Sequence, residues 1–451
     1  MNRIIYKGFA VAFVALTLTA CAGRKTYERP NVVNEKLFRT DNIPTDSLSS
    51  ANVSWRNIFT DATLQGHINK ALSNNLDVRV AMQNVASAQA YLKQSKAAFI
   101  PTLAAQANYT RATSSINAMG GVGERTYGNL WDLTGSASWE ADIWGKLSAQ
   151  KRASYASYLA TVEAQKAVQS EVVATLATAY YQLLMLDKQK KVLEQTIDFR
   201  QKSLETTKHL KEAGSTTEVA TKQIEALVYN AQAQLISIKN SVWALENTIC
   251  VLLGEEPHTI ERTTLAEQNF PTEFKQGYAA KLLQNRPDVA RAELSLRNAF
   301  EMTNVARAAF YPTLTLSARG GFSSTELDTW ISAKSIFANF VAGLAQPILN
   351  GRQIRTQYEV RQIEQETALL NFKKVILSAG KEVADAMQNF SNQTEFIELK
   401  NKEMKAYQEA TDYSKQLFDS GMVNYLEVIT AEVNRLNAEL SVAESQFTRM
   451  Q

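Results

Sequence analysis

The chain has 451 residues, 45% of them hydrophobic and 21% charged, enough apolar side chain to bury a sizeable core and too much for global disorder. Only 8 Pro and 18 Gly punctuate it, which predicts few turns with long elements between them, unlike a loop-rich globular enzyme. The formal charge is +3, but Arg3 and Lys7 fall in a leader read below as removed; the remaining 46 basic and 45 acidic side chains do not support a nucleic-acid partner.

Residues 1–20 combine Arg3 and Lys7, an apolar stretch from Gly8 to Leu18, and small residues before Cys21. This pattern is a secretory signal, shorter than the roughly 20 apolar residues of a spanning helix. Leu18-Thr19-Ala20-Cys21 resembles the bacterial lipobox, in which the cysteine thiol takes a diacylglycerol and becomes the mature N-terminus. The one expected attachment is therefore a covalent lipid on Cys21, each buried methylene contributing about 0.8 kcal/mol to anchoring. Position 22 is Ala, whereas an Asp there marks inner-membrane retention in enteric lipoproteins, so the resemblance favours the outer membrane. Cys250 is the only other cysteine, which leaves no structural disulfide and suggests a small buried residue on a helix.

After an N-terminal periplasmic segment over residues 21–60, residues 61–253 read as helix, two strands, very long helix, turn and helix. In the strand expected over 102–110, Leu103, Ala105, Ala107 and Tyr109 fall on one face and Thr102, Ala104, Gln106, Asn108 and Thr110 on the other. The second strand, 131–143, alternates Trp, Leu, Gly, Ala, Trp, Ala and Ile with polar residues, and both are long enough to cross a bilayer as tilted strands. Trp131, Trp139 and Trp144 put three of the six tryptophans within fourteen residues, as an interfacial girdle does. Between the strands, Thr113 to Asn129 with Gly120, Gly121 and Gly123 fits a flexible outer loop.

Residues 146–213 contain neither Gly nor Pro. As one helix they would extend on the order of 100 Å, which predicts a rod. Ala149, Ala153, Ala156, Ala160, Ala164 and Ala167 recur three or four apart, a face suited to close coiled-coil packing. Gly214 turns the chain into a helix over 215–253, and a linker with Pro257, Pro271 and Gly277 covers 254–286.

Residues 287–451 repeat this order. Lys96 to Leu103 reads KAAFIPTL and Arg307 to Leu314 reads RAAFYPTL, six of eight positions identical at an offset of 211 residues. Gly145 recurs as Gly351 and Gly214 as Gly421, at offsets of 206 and 207. Strands are expected over 313–322 and 336–344, with a loop from Ser323 to Ser335. A long helix follows from Arg352 to Ser420, bent at Gly380, and then a helix from Met422, about nine residues shorter than its counterpart. The fold class is thus mainly α with membrane β in two structural repeats. Four strands cannot close a barrel and lipid does not tolerate an open edge, so several chains must share one barrel.

Ser54-Trp55-Arg56-Asn57-Ile58-Phe59-Thr60-Asp61, with Leu64, Ile68, Ala71-Leu72 and Asn75-Leu76-Asp77, resembles the entry segment of the TolC-like outer membrane efflux proteins. Asn285-Arg286-Pro287-Asp288-Val289 through Ala308-Ala309-Phe310-Tyr311-Pro312 resembles that family's mid-chain motif, and Gly421 to Glu427 its second turn. The likeness is to the lipoprotein branch serving resistance-nodulation-division (RND) pumps. It implies a homotrimer forming a twelve-stranded outer-membrane barrel that continues into a periplasmic α-helical tunnel, embedded in outer membrane lipid. It further implies a passive duct for drugs, toxic compounds or metal ions, fed by an inner-membrane RND-type transporter through a periplasmic adaptor (membrane fusion) protein.

On this resemblance the helix turns are periplasmic tips. Gly214, Ser215, Thr216 and Thr217, with Gly421, Met422, Val423, Asn424, Tyr425 and Leu426, are the expected adaptor contacts, and each is also an ordinary turn residue. Asp412, Asp419, Leu426 and Glu427 are the candidate gate, although many relatives carry Asp where this chain has Thr430.

No catalysis is expected. His67, His209 and His258 stand far apart in no metal-ligand spacing, and no nucleotide-binding glycine pattern appears. The alternatives are a duct for type I protein secretion, which shares the architecture, and a non-conducting structural lipoprotein.

Overall fold

The computed structural model describes residues 25–31, 54–117, 124–268 and 285–451. The first repeat contains α1 (Trp55–Ile58), α2 (Ala62–Asn74), α3 (Leu76–Ala97), β1 (Thr102–Thr113), β2 (Tyr127–Ala141), α4 (Lys146–Glu212) and α5 (Glu218–Leu253). The second contains α6 (Pro287–Ala308), β3 (Thr313–Ser324), β4 (Ile336–Ala345), α7 (Gln353–Asp419) and α8 (Tyr425–Met450). The second strand begins four residues earlier and ends two earlier than its alternation predicts, because pairing with β1 carries it out to Tyr127 and the chain bends after Ala141. The 67 residues of α7 include Gly380 without interruption, so that glycine ends nothing. Helices α5 and α8 start three residues later than expected because Thr217 and Asn424 stand as their N-caps.

Two compact units cut across the two repeats. Among the described residues, one holds 25–31, 84–117, 124–162 and 290–374; the other holds 54–83, 163–268, 285–289 and 375–451. Each is therefore built from both repeats.

The first unit contains the sheet, antiparallel throughout in the order β1-β2-β3-β4. Asp142 starts α4: its carboxylate accepts from the backbone N–H of Leu147 (2.8 Å) and Ser148 (2.9 Å), and Gly145, at φ 74°, supplies the left-handed turn between. Arg152 pairs in bidentate fashion with buried Glu301 (2.7 and 2.8 Å), tying α4 to α6. Residues 25–31 lie along α6, where Tyr27 packs edge-on against Phe300 (5.6 Å) and Arg29 pairs with Glu293 (2.9 Å).

The second unit is centred on Leu64, Ile68, Leu176, Tyr180, Leu183, Leu184, Ile249 and Leu253, all essentially inaccessible. Asp61 organises its polar margin. One carboxylate oxygen caps α2 through the N–H groups of Thr63 (2.8 Å) and Leu64 (3.3 Å). The other accepts from Thr263 Oγ1 (2.5 Å), Tyr180 Oη (2.9 Å) and Gln268 Nε2 (2.9 Å). Burial alone would raise the Asp61 pKa; the hydrogen bonds from Thr263, Gln268 and Tyr180 outweigh it and hold the group below the ordinary carboxylate value. Nearby, Arg262 of the linker bridges Asp187 of α4 (2.5 Å) and Glu246 of α5 (2.5 Å). Gly254 closes α5 at φ 73°, and a Cβ there would meet Asn74 O at 2.8 Å, so both the conformation and the space require glycine.

A depressed folded-state pKa contributes stability above the unfolded pKa and loses it as pH falls through the folded value. Asp61→Asn should lower stability by about 1–3 kcal/mol at neutral pH, the magnitude of a disrupted buried network. In thermal melts from pH 7 to pH 2 the gap between wild type and variant should close below about pH 4; a gap that stays constant would show that the carboxylate charge is not what stabilises this collar of hydrogen bonds around Asp61.

Candidate functional site: a one-sided sheet and two glycine turns

Strand alternation and register together decide what the sheet presents. The ladders place Leu103 opposite Ala137, Ala137 opposite Ala318, and Ala318 opposite Phe340. One row nearer the loops, Ala105, Gly135, Gly320 and Ala338 align, and beyond them Ala107, Leu133, Phe322 and Ile336. Directly paired residues share a face, so one side of all four strands is apolar. The reverse side carries Gln106, Asn108, Asp132, Thr134, Ser136, Ser138, Ser317, Arg319 and Asn339, with Ala104, Leu130, Phe337 and Val341 among its apolar exceptions. Leu103, Phe340 and Leu344 are 82%, 71% and 68% exposed, so among the described residues nothing covers the apolar side there.

Aromatic rings mark both ends of this surface. Toward the loops, Trp131 packs against Tyr109 (4.2 Å between centroids) and Trp330 (5.7 Å). Toward the helices, Trp139 donates to Phe99 O (2.9 Å), while Trp144 donates to Pro312 O (2.7 Å) and stacks on Tyr311 (4.8 Å). Trp131 and Trp139 share one face eight residues apart, about 20 Å along the axis of a barrel tilted by about 40°, close to the height of an outer-membrane apolar band. Trp144 stands beyond the strand, in the turn to α4. The sequence did not mark Trp330 as part of this set, because its isolated position carries no periodic signal, and it showed Tyr311 only as part of the repeated motif.

Strands β2 and β3 approach closely where glycines meet. Gly135 faces Gly320, and a Cβ on Gly321 would run into the Leu133 carbonyl, so backbone approaches backbone too closely there for any side chain.

The two helix turns use one hydrogen-bond pattern. Gly214 N–H donates to Lys211 O (2.9 Å) and Ser215 N–H to Leu210 O (2.8 Å); Gly421 N–H donates to Phe418 O (2.9 Å) and Met422 N–H to Leu417 O (2.9 Å). Both glycines are left-handed, at φ 77° and 71°, the geometry of a Schellman C-cap. Thr217 caps α5 through Ala220 N–H (3.4 Å), while Asn424 caps α8 through Leu426 N–H (2.9 Å) and Glu427 N–H (3.3 Å). Ser215 is exposed and Thr216 partly so. An ion pair between Lys211 and Glu218 spans the first turn.

At the second turn Met422 (73%) and Leu426 (54%) are exposed and Val423 partly so. Tyr425 is different: it packs edge-on against Phe418 (4.9 Å), and burial raises its pKa against the effect of a hydrogen bond with Ser203. Asp412, Asp419 and Glu427 are all exposed. Glu427 lies in the first turn of α8, which the helix dipole favours, whereas Asp419 ends α7, where the dipole opposes a carboxylate.

A buried charge seam near these turns escaped sequence reading because its charges are spaced like a solvated helix face. Glu432, 1% exposed, is held by Arg435 (2.7 and 3.0 Å), which also reaches Glu439 (2.9 Å); Arg200 is itself buried and donates to Leu227 O (2.9 Å). Burial lowers the Arg200 pKa and the nearby Glu432 opposes that shift.

Cys21, the expected lipidation site, lies outside the described residues, as do Gly120, Gly121 and Gly123. Among the described residues no helix is long and apolar enough to cross a membrane, and no cluster of three metal-ligating side chains is present.

The profile of a protein family described as "Outer membrane efflux protein" matches residues 67–255 and 279–450. The chain is 26% identical over 447 residues to the cation efflux system protein CusC of Escherichia coli (strain K12), covering 97% of this chain and 95% of that protein. It is 25% identical over 446 residues to the toluene efflux pump outer membrane protein TtgI of Pseudomonas putida, covering 97% and 94%. Among solved structures, that of CusC superposes with a TM-score of 0.85 at 25% identity, over 94% of this chain and 96% of the other. The open-state outer membrane channel MtrE of Neisseria gonorrhoeae gives 0.84 at 24% identity, over 94% and 95%.

Gly321→Val should abolish membrane assembly, read as loss of detergent-extractable oligomer from the outer membrane fraction, because the Leu133 carbonyl occupies the space. Gly128→Ala, with nothing within 4 Å of its new methyl, should assemble normally; equal yields of the two variants would sink the close-approach account.

Proposed function

Since the chain belongs to the outer membrane efflux protein family, we propose that three copies form one passive duct, each contributing four strands to a twelve-stranded barrel and its long helices to a periplasmic tunnel. The observation that carries this reading is the sheet: one continuous apolar face and two edges, at β1 and β4, that are uncovered and unpaired among the described residues. Lipid stabilises the first and cannot satisfy the second, since each unpaired N–H or C=O in hydrocarbon costs several kcal/mol. Pairing β4 of one copy with β1 of the next removes every edge, and the closed sheet turns its polar face inward.

In this reading the protein does no chemistry. An inner-membrane RND-type pump supplies the energy, a periplasmic adaptor connects pump to duct, and Gly214 to Thr217 and Gly421 to Leu426 meet the adaptor. Met422 and Leu426, exposed beside a rigid glycine turn, are the apolar contacts best placed for it. Asp412, Asp419, Leu426 and Glu427 are the gate candidates, and the acylated Cys21 anchors each copy. The cargo is small molecules selected by the pump: relatives equally distant from this chain are named for cation efflux and for toluene efflux, so the common architecture does not fix the cargo.

Detergent-purified protein of trimeric mass should give discrete single-channel currents in a planar bilayer, with the basal current altered by Glu427→Lys if that residue belongs to the gate. A monomer that never inserts would overturn the duct and revive a structural lipoprotein. Separately, Cys21→Ala should eliminate palmitate labelling in cells; normal labelling would refute the lipid anchor.

A further inference from the structure

The polar face of the sheet carries one basic side chain. Among the described strand residues only Arg111 and Arg319 are basic, and Arg111 falls on the opposite face near the outer loop. Arg319 sits halfway along β3 in a transverse row with Ala104, Ser136 and Asn339, where its neighbours are all shorter. It is exposed, its guanidinium lying 5.7 Å from the Phe337 ring and 3.4 Å from Thr134 Oγ1, and among the described residues no carboxylate pairs with it.

The acidic residues of the same face are too far away to neutralise it. Asp132 and Glu140 lie in rows four residues to either side of Ser136, the Arg319 partner on β2, about 13 Å along the strand, beyond a Debye length of about 8–10 Å at physiological salt. Glu140 is itself paired with Lys146 (3.0 Å). The contacts of Arg319 inside the sheet, the Phe337 ring and the Thr134 hydroxyl, are both neutral and leave its charge uncompensated. The adjacent rows of that face hold Gly321 with Phe337 and Ser317 with Val341, and the exposed guanidinium rests beside the Phe337 ring and Thr134 on the face that the closed sheet turns inward.

We propose that Arg319 selects cargo by charge: in the trimeric duct of the preceding subsection, on which this inference rests, three copies form a cationic belt at mid-barrel that favours oxyanions, such as carboxylate- or phosphate-bearing molecules, and disfavours cations. Rings of charged side chains set ion selectivity in this way because a low-dielectric wall strengthens their field in the lumen. The belt grades passage of what the pump delivers, and hydrated metal cations become its least favoured cargo.

The test is the reversal potential of wild-type trimers in a planar bilayer under a KCl gradient, compared with Arg319→Gln and Arg319→Lys. Arg319→Gln should raise the potassium-to-chloride permeability ratio about two-fold or more, and Arg319→Lys should match wild type. Citrate added to the outer side should hinder chloride current in wild type and need about tenfold more to do so in Arg319→Gln. Conducting channels with the same ratio and citrate response in all three proteins would overturn the belt and leave the duct intact. A wild-type trimer of correct mass that stays silent would overturn the duct itself and the belt with it.

Discussion

The intolerance of a bilayer for unpaired backbone groups governs this protein. A sheet of four strands with free edges cannot exist alone in hydrocarbon, so the chain must be completed by copies of itself. Everything in the strand region is consistent with that requirement. The register brings small or apolar residues into line on one face across three separate ladders, although β1-β2 and β3-β4 belong to repeats offset by more than two hundred residues of sequence. A shift of one residue in any ladder would set an apolar row against a polar one. The close approach at Gly321 leaves room there for glycine alone.

Rigidity in the helix turns has a different origin. The turns at Gly214 and Gly421 satisfy the last carbonyls of α4 and α7 with the same pair of hydrogen bonds, and side-chain caps satisfy the first N–H groups of α5 and α8 within three residues. Such short turns leave little freedom, so the side chains they expose are held in place before any partner arrives. Membership of the outer membrane efflux protein family gives this economy a purpose, because a duct that conducts passively has only its ends and its bore with which to choose partners and cargo.

The collar around Asp61 shows how a long helix is fixed from the side. One carboxylate caps α2 and gathers Tyr180 of α4 together with Thr263 and Gln268 of the linker, while Arg262 ties α4 to α5. The buried hydroxyl of Tyr180 has its pKa pushed up to about 12, chiefly by burial, so it remains a neutral donor at every physiological pH. These contacts join parts of the chain more than two hundred residues apart, which periodicity cannot reveal.

By itself the sequence determined the elements and their order: the Gly- and Pro-free run that became α4, the alternation that became β2, the glycines that turn the helices, and the repetition of the whole plan. It could do so because helix and strand are local, set by spacing, capping and turn residues within a few positions. Tertiary structure alone decided that the apolar sides of four strands fall on one face, that among the described residues no carboxylate pairs with Arg319 on the other, that Tyr425 packs inward beside exposed Met422, and that Glu432 is buried under Arg435 rather than solvated. Register, burial and charge pairing depend on which distant segments meet, and that is settled only when the long-range contacts form.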